Sequence, residues 1–369
     1  MPLRSRLLAR LRAAPAKGAA ILLCLVLALT HLAVEQGDTA ASPRPFTASA
    51  SAAPASATPA AAPTLPIPTR IHGVDRYDQA VQASRAGFDR ADIVYLASGQ
   101  AFADALGAGA VAGTHRSPLL LTPRDALPPL VIAEIARLQP TIVVVVGGTA
   151  SVSDDVLAQL SRSITGATFL RIDGADRYEV SRALVTDPVV GVPAADVVLL
   201  AAGAGFADAV AAAPAAVRAN GAMLLVNGAG SGLPPPTHAA IRAFDPAAVT
   251  LLGGTTTMSA GIESELRMLG HGVSRVSGAD RYEVAVALNS TAHPAPPGGT
   301  VYLASGTAFP DALSGGPLAG SRGAAIYLVR PTCVPWAVLA DLHRLAPREI
   351  VLLGGPATLS PSVQSLTPC

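Results

Sequence analysis

Lysine is nearly missing from this sequence: Lys17 is the only one in 369 residues, aromatic residues make up 4% of the chain and charged residues 14%. Subtracting the five basic and two acidic residues found among the first 40 from totals of 26 and 25 leaves 21 basic and 23 acidic side chains in the remainder. No Lys/Arg run follows Lys17. The basic face with which a nucleic-acid binder displaces counterions is therefore missing, and that partner class is excluded. Beyond Lys17 every permanent cation is an Arg, whose planar fork suits bidentate contact with carboxylate or phosphate.

Signatures of catalysis are scarce as well. The chain has no His-Glu-x-x-His, no Gly-x-Ser-x-Gly elbow, no Gly-x-Gly-x-x-Gly and no Gly-x-x-x-x-Gly-Lys-[Ser/Thr], so the usual zinc, acyl-enzyme, dinucleotide and nucleotide sites are not indicated. His72, His115, His238, His271, His293 and His343 have no second ligand at metal-binding spacing, so neither a metal nor another cofactor is expected. Cysteine is limited to Cys24, Cys333 and Cys369. In an exported chain the last two read as one disulfide that pins the C-terminal helix, a constraint of up to about 4 kcal/mol on the chain-entropy view.

Export is what the N-terminus suggests. Arg4, Arg6, Arg10, Arg12 and Lys17 precede an uncharged apolar run from Gly18 to Val34, and small residues follow near Thr39 to Ala41. This is the layout of a secretory signal peptide over residues 1–40, with an uncleaved anchor as the rival reading. Residues 41–69 are mostly Ala, Pro, Ser and Thr, too poor in bulky apolar side chains to fold, and read as a linker. No later segment offers eighteen apolar residues without charges or breakers, so nothing beyond the leader is expected to enter a membrane.

The remainder is repetitive. Arg70-Ile-His-Gly-Val-Asp-Arg-Tyr77 returns as Arg171-Ile-Asp-Gly-Ala-Asp-Arg-Tyr178 and as Arg275-Val-Ser-Gly-Ala-Asp-Arg-Tyr282. A second landmark, YLASGQAFADAL, LLAAGAGFADAV and YLASGTAFPDAL, places Asp104, Asp208 and Asp311 in register. From each of these aspartates an apolar strand begins 14 residues on, a Pro opens the next segment after 24, 26 and 24, and a Gly-Gly pair follows at 43, 45 and 43. Fixed phase marks one folding unit copied three times, over residues 70–170, 171–274 and 275–369, with a two-residue insertion in the second. Short β-branched runs such as TIVVVVGG alternate with helical stripes such as Leu130, Ile135 and Leu138, so each unit is expected to be α/β with a parallel sheet covered by helices on both faces. Ser151 or Ser153 is expected to cap the helix after the Gly-Gly pair.

Two motifs carry candidate chemistry. Asp104, Asp208 and Asp311 follow the carboxyl end of a strand, where open α/β sheets bind ligands; they either hold a sugar hydroxyl or amine, or cap the next helix over Phe102, Phe206 and Phe309, and the cap is favoured. Arg76, Arg177 and Arg281 either grip an anionic polymer or pair with acidic groups of the neighbouring repeat. The Gly-Gly pairs read as close strand-to-helix packing.

Together, the thrice-repeated GxDRY, YLASGxxFADAL, PLLLT and VVVVGGTAxVS segments, from Arg70 to Cys369, resemble the cell wall-binding repeat of type 2, which typically occurs as three tandem copies in surface proteins of Gram-positive bacteria. The resemblance implies a Rossmann-like or Toprim-like repeat, a pseudo-threefold arrangement, and noncovalent attachment to anionic wall polymer or peptidoglycan. It also points to the strand Leu119, Leu120 and Leu121, with Met223-Leu224-Leu225 and Ile326-Tyr327-Leu328 as its counterparts, as an anchoring element. The Asp-x-Asp pair that a Toprim-type metal site requires is not present after these strands. The resulting expectation is a secreted, non-enzymatic wall-binding protein at the cell surface, with a wall hydrolase such as an N-acetylmuramoyl-L-alanine amidase or a structural surface-layer component as the alternatives.

Overall fold

The computed structural model describes residues 64–100 and 104–369. The expected leader, the linker as far as residue 63, and Phe102 lie outside the described residues. Three parallel four-stranded sheets are present. The first has the order β3-β2-β4-β5, from β2 (Ile93–Ser98), β3 (Leu119–Thr122), β4 (Ile142–Val146) and β5 (Thr168–Ile172). The second repeats it as β7-β6-β8-β9, from β6 (Val197–Ala202), β7 (Gly221–Val226), β8 (Ala248–Leu252) and β9 (Gly272–Val276). Every residue of β2, β3 and β7 is buried, which is why these strands read as continuous apolar runs instead of alternating ones.

Sheets and sequence repeats are offset by one strand. The Arg-[Ile/Val] segment that opens each repeat forms the edge strand of the preceding sheet: β5 pairs with β4, and β9 with β8. The third sheet, from β10 (Thr300–Ser305), β11 (Ala325–Val329) and β12 (Glu349–Leu353), does not take its edge strand from a segment that follows it. Instead β1 (Thr69–Ile71), near the start of the described chain, pairs in parallel with β12 over Thr69 to Val351, Arg70 to Leu352 and Ile71 to Leu353. The chain thus closes on itself. Units cut at residues 70, 171 and 275 have their first strands in the neighbour's sheet, because the repeating motif begins one strand before the helix that crosses to its own sheet.

The conserved phase of Arg70, Arg171 and Arg275 has a physical cause in these edge strands. Arg70 Nη1 donates to the Gly354 carbonyl at 2.6 Å, Arg171 Nη1 to Gly147 at 2.8 Å and Arg275 Nη1 to Gly253 at 2.9 Å. The amides of the same glycines donate back to Ile71, Ile172 and Val276. Each glycine has φ between 102° and 114°, a region open to glycine and strained for other residues. The Gly-Gly pair is therefore a left-handed turn locked to the edge strand by an arginine.

Helices α2 (Ala105–Thr114), α6 (Ala207–Arg218) and α10 (Pro310–Ser321) follow the first strand of each sheet and pack against one another at the centre. Their small residues are what let three helices meet. A Cβ on Gly113 would lie 2.9 Å from Val217 Cγ2 and 3.6 Å from the Gly320 Cα, and one on Gly109 or Gly316 would lie 3.4 or 3.5 Å from the Ala213 Cβ. The high Ala and Gly content is thus a packing requirement of the pseudo-threefold axis.

Donors at the C-terminal ends of these central helices lace each repeat to the next. His115 Nε2 lies 2.6 Å from the Gly191 carbonyl, and Tyr95 donates to the Val190 carbonyl at 2.6 Å. Arg218 donates to the carbonyls of Ala324 (2.6 Å) and His293 (2.9 Å) and to Asn289 Oδ1 (2.7 Å). Arg322 donates to the Ala86 carbonyl, so the lacing also runs from the third repeat to the first.

The outer helices form as the apolar spacing predicts. In α3 (Pro129–Leu138), Ile135 and Leu138 are fully buried and Leu130 half-buried, with prolines at the start where no amide is needed. Glu134 on the same helix is buried between Arg137 and Arg85 and accepts the Ser84 hydroxyl at 2.5 Å. Helix α4 (Asp154–Ser163) begins after Ser153, yet neither serine caps it as expected: Ser153 Oγ is buried without a partner and Ser151 turns elsewhere. Cys333 and Cys369 are bonded, with Cα atoms 5.6 Å apart, beside a bridge between Val334 and Pro368. Among the described residues no helix is long and apolar enough to cross a membrane.

Candidate functional site

The Gly-x-Asp-Arg-Tyr motif opens helices α1 (Arg76–Gly87), α5 (Arg177–Val185) and α9 (Arg281–Ala287). Asp75, Asp176 and Asp280 cap them, each accepting the amides two and three residues on at 2.8 to 3.0 Å. The motif glycine is required by contact: a Cβ on Gly73, Gly174 or Gly278 would lie within 2.9 Å of the first turn of the helix. The tyrosines account for a further glycine, because Gly99, Gly203 and Gly306, at the ends of the first strands, sit beneath Tyr77, Tyr178 and Tyr282.

Arg76, Arg177 and Arg281 each donate Nη1 to the carbonyl of that same glycine, Gly99, Gly203 or Gly306, at 2.5 to 2.6 Å. The guanidinium of Arg281 then lies 5.7 Å over the ring of Phe206, and that of Arg76 5.9 Å over Phe309. Each of these two arginines therefore stands on its own repeat and covers an aromatic ring of the preceding one. Among the described residues neither forms an ion pair within 4.0 Å; of the two alternatives, pairing with an acidic group of the neighbouring repeat is present only as a longer-range attraction to Asp311 and Asp208. Phe206 and Phe309 meet edge to face, with centroids 6.1 Å apart.

The aspartates of the second motif do not cap. Asp104 stands at the helix start without a cap bond, while Asp208 and Asp311 lie inside the first turn. They reach across to the Gly-Gly turn instead. Asp104 accepts the Ser151 hydroxyl at 2.5 Å, and Thr358 holds the matching place beside Asp311. Burial raises the Asp311 carboxyl above its ordinary range, opposed by Thr358 and by Arg76; burial likewise raises Asp208, opposed by Arg281. Asp208 has no hydroxyl partner of this kind among the described residues.

These groups converge on a cleft of about 710 Å³ at the junction of the second and third repeats. Phe206 and Asp208 line it from the end of β6, Asn227 and Gly228 from the end of β7, Gly253, Gly254 and Thr257 from the end of β8, and Asp280 and Arg281 from the start of α9. This is the carboxyl edge of a parallel sheet, where such folds bind their ligands. Sequence reasoning found Asp208 and Arg281 separately but not their meeting, since the arginine comes from the following repeat and only the one-strand offset brings it across. The strand Leu119, Leu120 and Leu121 takes a different place from the one expected of an anchoring element. The three are at most 1% exposed, packed under α1 and α10, so they contact no polymer from the surface and shape the fold instead. Among the described residues no group of three or more His, Cys, Asp or Glu could hold a metal ion.

Residues 70–157, 171–263 and 275–364 each match the profile of the family described as cell wall binding domain 2. The N-acetylmuramoyl-L-alanine amidase LytC of Bacillus subtilis is 28% identical over 259 residues, which is 70% of this chain and 49% of that protein. The amidase enhancer of the same organism is 26% identical over 297 residues, 80% of this chain and 39% of that protein. Among solved structures, Cwp6 from Clostridium difficile superposes with a TM-score of 0.75 at 25% identity, covering 83% of this chain and 48% of that one. Cwp8 from the same organism gives 0.69 at 21% identity, covering 81% and 51%, and bears on the fold alone. The chain spans about half or less of the length of each of these proteins.

Proposed function

The chain belongs to the cell wall binding domain 2 family, and from that premise we propose that it attaches noncovalently, and without catalysis, to a glycan of the bacterial cell wall, using the cleft between its second and third repeats. The observation that carries this reading is the convergence of Arg281, Asp208 and Phe206 at one junction. A half-buried aromatic ring suits the apolar face of a sugar, the guanidinium keeps donors beyond the one given to Gly306 for an anionic or hydroxyl oxygen, and the glycine turns bring backbone close to a ligand.

Retention of the purified protein on native cell walls, on walls stripped of anionic polymer and on peptidoglycan alone tests the proposal. Strong retention on native walls, cut by Arg281→Ala, is expected. Equal retention of wild type and Arg281→Ala on every fraction overturns the assignment to this cleft, and release of soluble muropeptides during incubation overturns the non-catalytic reading.

A further inference from the structure

The three junctions are built alike but differ in the side chains that follow the second strand. In the first repeat β3 is followed within two residues by Arg124, which pairs with Asp125 at 3.0 Å, and in the third β11 is followed at once by Arg330, which lies 5.5 Å over the Tyr282 ring. The second repeat has Asn227 and Gly228 in that place. The charged side chains lining the cleft between the second and third repeats are accordingly Asp208, Asp280 and Arg281, a net charge of −1. One N–H of Arg281 is already given to the Gly306 carbonyl at 2.5 Å. One oxygen of Asp280 is given to the amides of Tyr282 and Glu283.

Asp208 differs from its two counterparts in the same direction. The hydroxyl of Ser151 donates to Asp104 at 2.5 Å and Thr358 stands where its side chain opposes the rise of the Asp311 carboxyl, whereas among the described residues no such hydroxyl acts on Asp208 and Thr257, at the matching place, packs its side chain over Gly253, within 2.8 Å of where a Cβ would stand. The insertion in the second repeat lies close by: a Cβ on Gly228 would fall 2.0 Å from the Thr257 carbonyl. The carboxylate left without a hydroxyl therefore faces the cleft that has lost an arginine. A half-buried carboxylate in this position calls for a donor from outside, and a cationic donor meets both the hydrogen-bonding and the charge requirement.

We propose that this cleft selects a saccharide unit bearing a free ammonium group, held by Asp208 with Asp280 nearby, so that the wall polymer recognised by this protein is amine-bearing as well as anionic. The inference rests on the assignment of the cleft as the wall-glycan site and names the chemistry it reads. Arg281 takes an oxygen of the same or the adjoining unit, and Phe206 lies below the ring.

The test uses the full chain and two preparations of one anionic wall polymer fraction, one with its amines intact and one N-acetylated, which removes the positive charge and leaves the anionic groups. Binding of the wild type, Asp208→Asn and Arg281→Ala is measured on both. The wild type is expected to bind the amine-bearing polymer about tenfold or more tightly than the acetylated one, the size of a charge-assisted hydrogen bond. Asp208→Asn is expected to bind both at the weaker level, with a wild-type circular dichroism spectrum and no loss of melting temperature. Equal wild-type affinity for the two preparations, or a preference that survives in Asp208→Asn, overturns the inference. If Arg281→Ala weakens binding to both while acetylation changes nothing, the cleft stands as the glycan site and only the ammonium assignment fails. If Arg281→Ala leaves binding to both unchanged, the cleft assignment fails with it.

Discussion

Two ends of the same central helices show how one residue type serves opposite purposes. At their C-terminal ends Arg218 is surrounded by acceptors from the third repeat, and burial pulls its guanidinium down to about 10. At their N-terminal ends Arg281 gives one donor to Gly306 and is otherwise exposed along the cleft. An arginine whose two terminal nitrogens are spent on three acceptors is a structural tie, whereas one that keeps exposed donors over an aromatic ring has capacity left for a ligand. Charge content alone separates neither; the surrounding acceptors do.

The largest expected loss comes from the disulfide that pins the C-terminal segment of the third repeat, away from both ends. Cys333→Ser opens a constraint across a separation of 36 residues, and should lower stability by up to about 4 kcal/mol in denaturant melts, while leaving polymer binding at the junction of repeats two and three unchanged. Next, Arg218→Ala strands the acceptors of Ala324, Asn289 and His293, and should cost about 3 kcal/mol, read as a lower denaturation midpoint. Arg281→Ala, by contrast, removes one hydrogen bond to Gly306 and the contact over Phe206, should cost about 1 kcal/mol, less than Arg218→Ala, and should weaken wall binding. If Arg281→Ala melts the protein and Arg218→Ala does not, the contrast between the two ends is reversed.

Acid should act on the two ends in opposite senses. Burial and the nearby Arg218 lower the His293 imidazole, so proton uptake disfavours the fold and the base loosens as pH falls below about 6.5, the ordinary histidine range. Asp208 is raised, so its ionised form is the costly one: the penalty is present above its folded pKa and gone once pH falls below the ordinary carboxylate range. Asp208→Asn should therefore raise the melting temperature by a small amount at neutral pH, with the gain vanishing in acid. A gain that grows on acidification contradicts the assignment.

Much of this organisation was legible in the sequence, and the reasons are specific. Phase-locked landmarks gave three copies of one α/β unit because the motif glycines, aspartates and tyrosines touch each other within a repeat, as Gly99 does with Tyr77 and Gly73 with Asp78. Contacts between repeats left no such trace. The pairing of β1 with β12 joins residues about 280 positions apart, and nothing local to Arg70 announces it. The aspartates of the second motif looked like helix caps because their position fits one; the Ser151 hydroxyl and the matching Thr358 side chain, 47 residues on, compete for them. Family resemblance alone points to the apolar strand Leu119 to Leu121 as an anchor; its continuous apolar run already reads as a strand covered on both faces, and it is at most 1% exposed.

The central claim is that wall glycan binds at the junction of the second and third repeats. Gly254 and its counterpart Gly355 both have open space where a Cβ would project, so Gly254→Trp fills the described cleft and Gly355→Trp fills the corresponding place at the closure of the ring, each without disturbing the core. Retention on native cell walls measured side by side should be lost in Gly254→Trp and kept in Gly355→Trp. Retention kept in Gly254→Trp, with its fold intact by circular dichroism, would contradict the account.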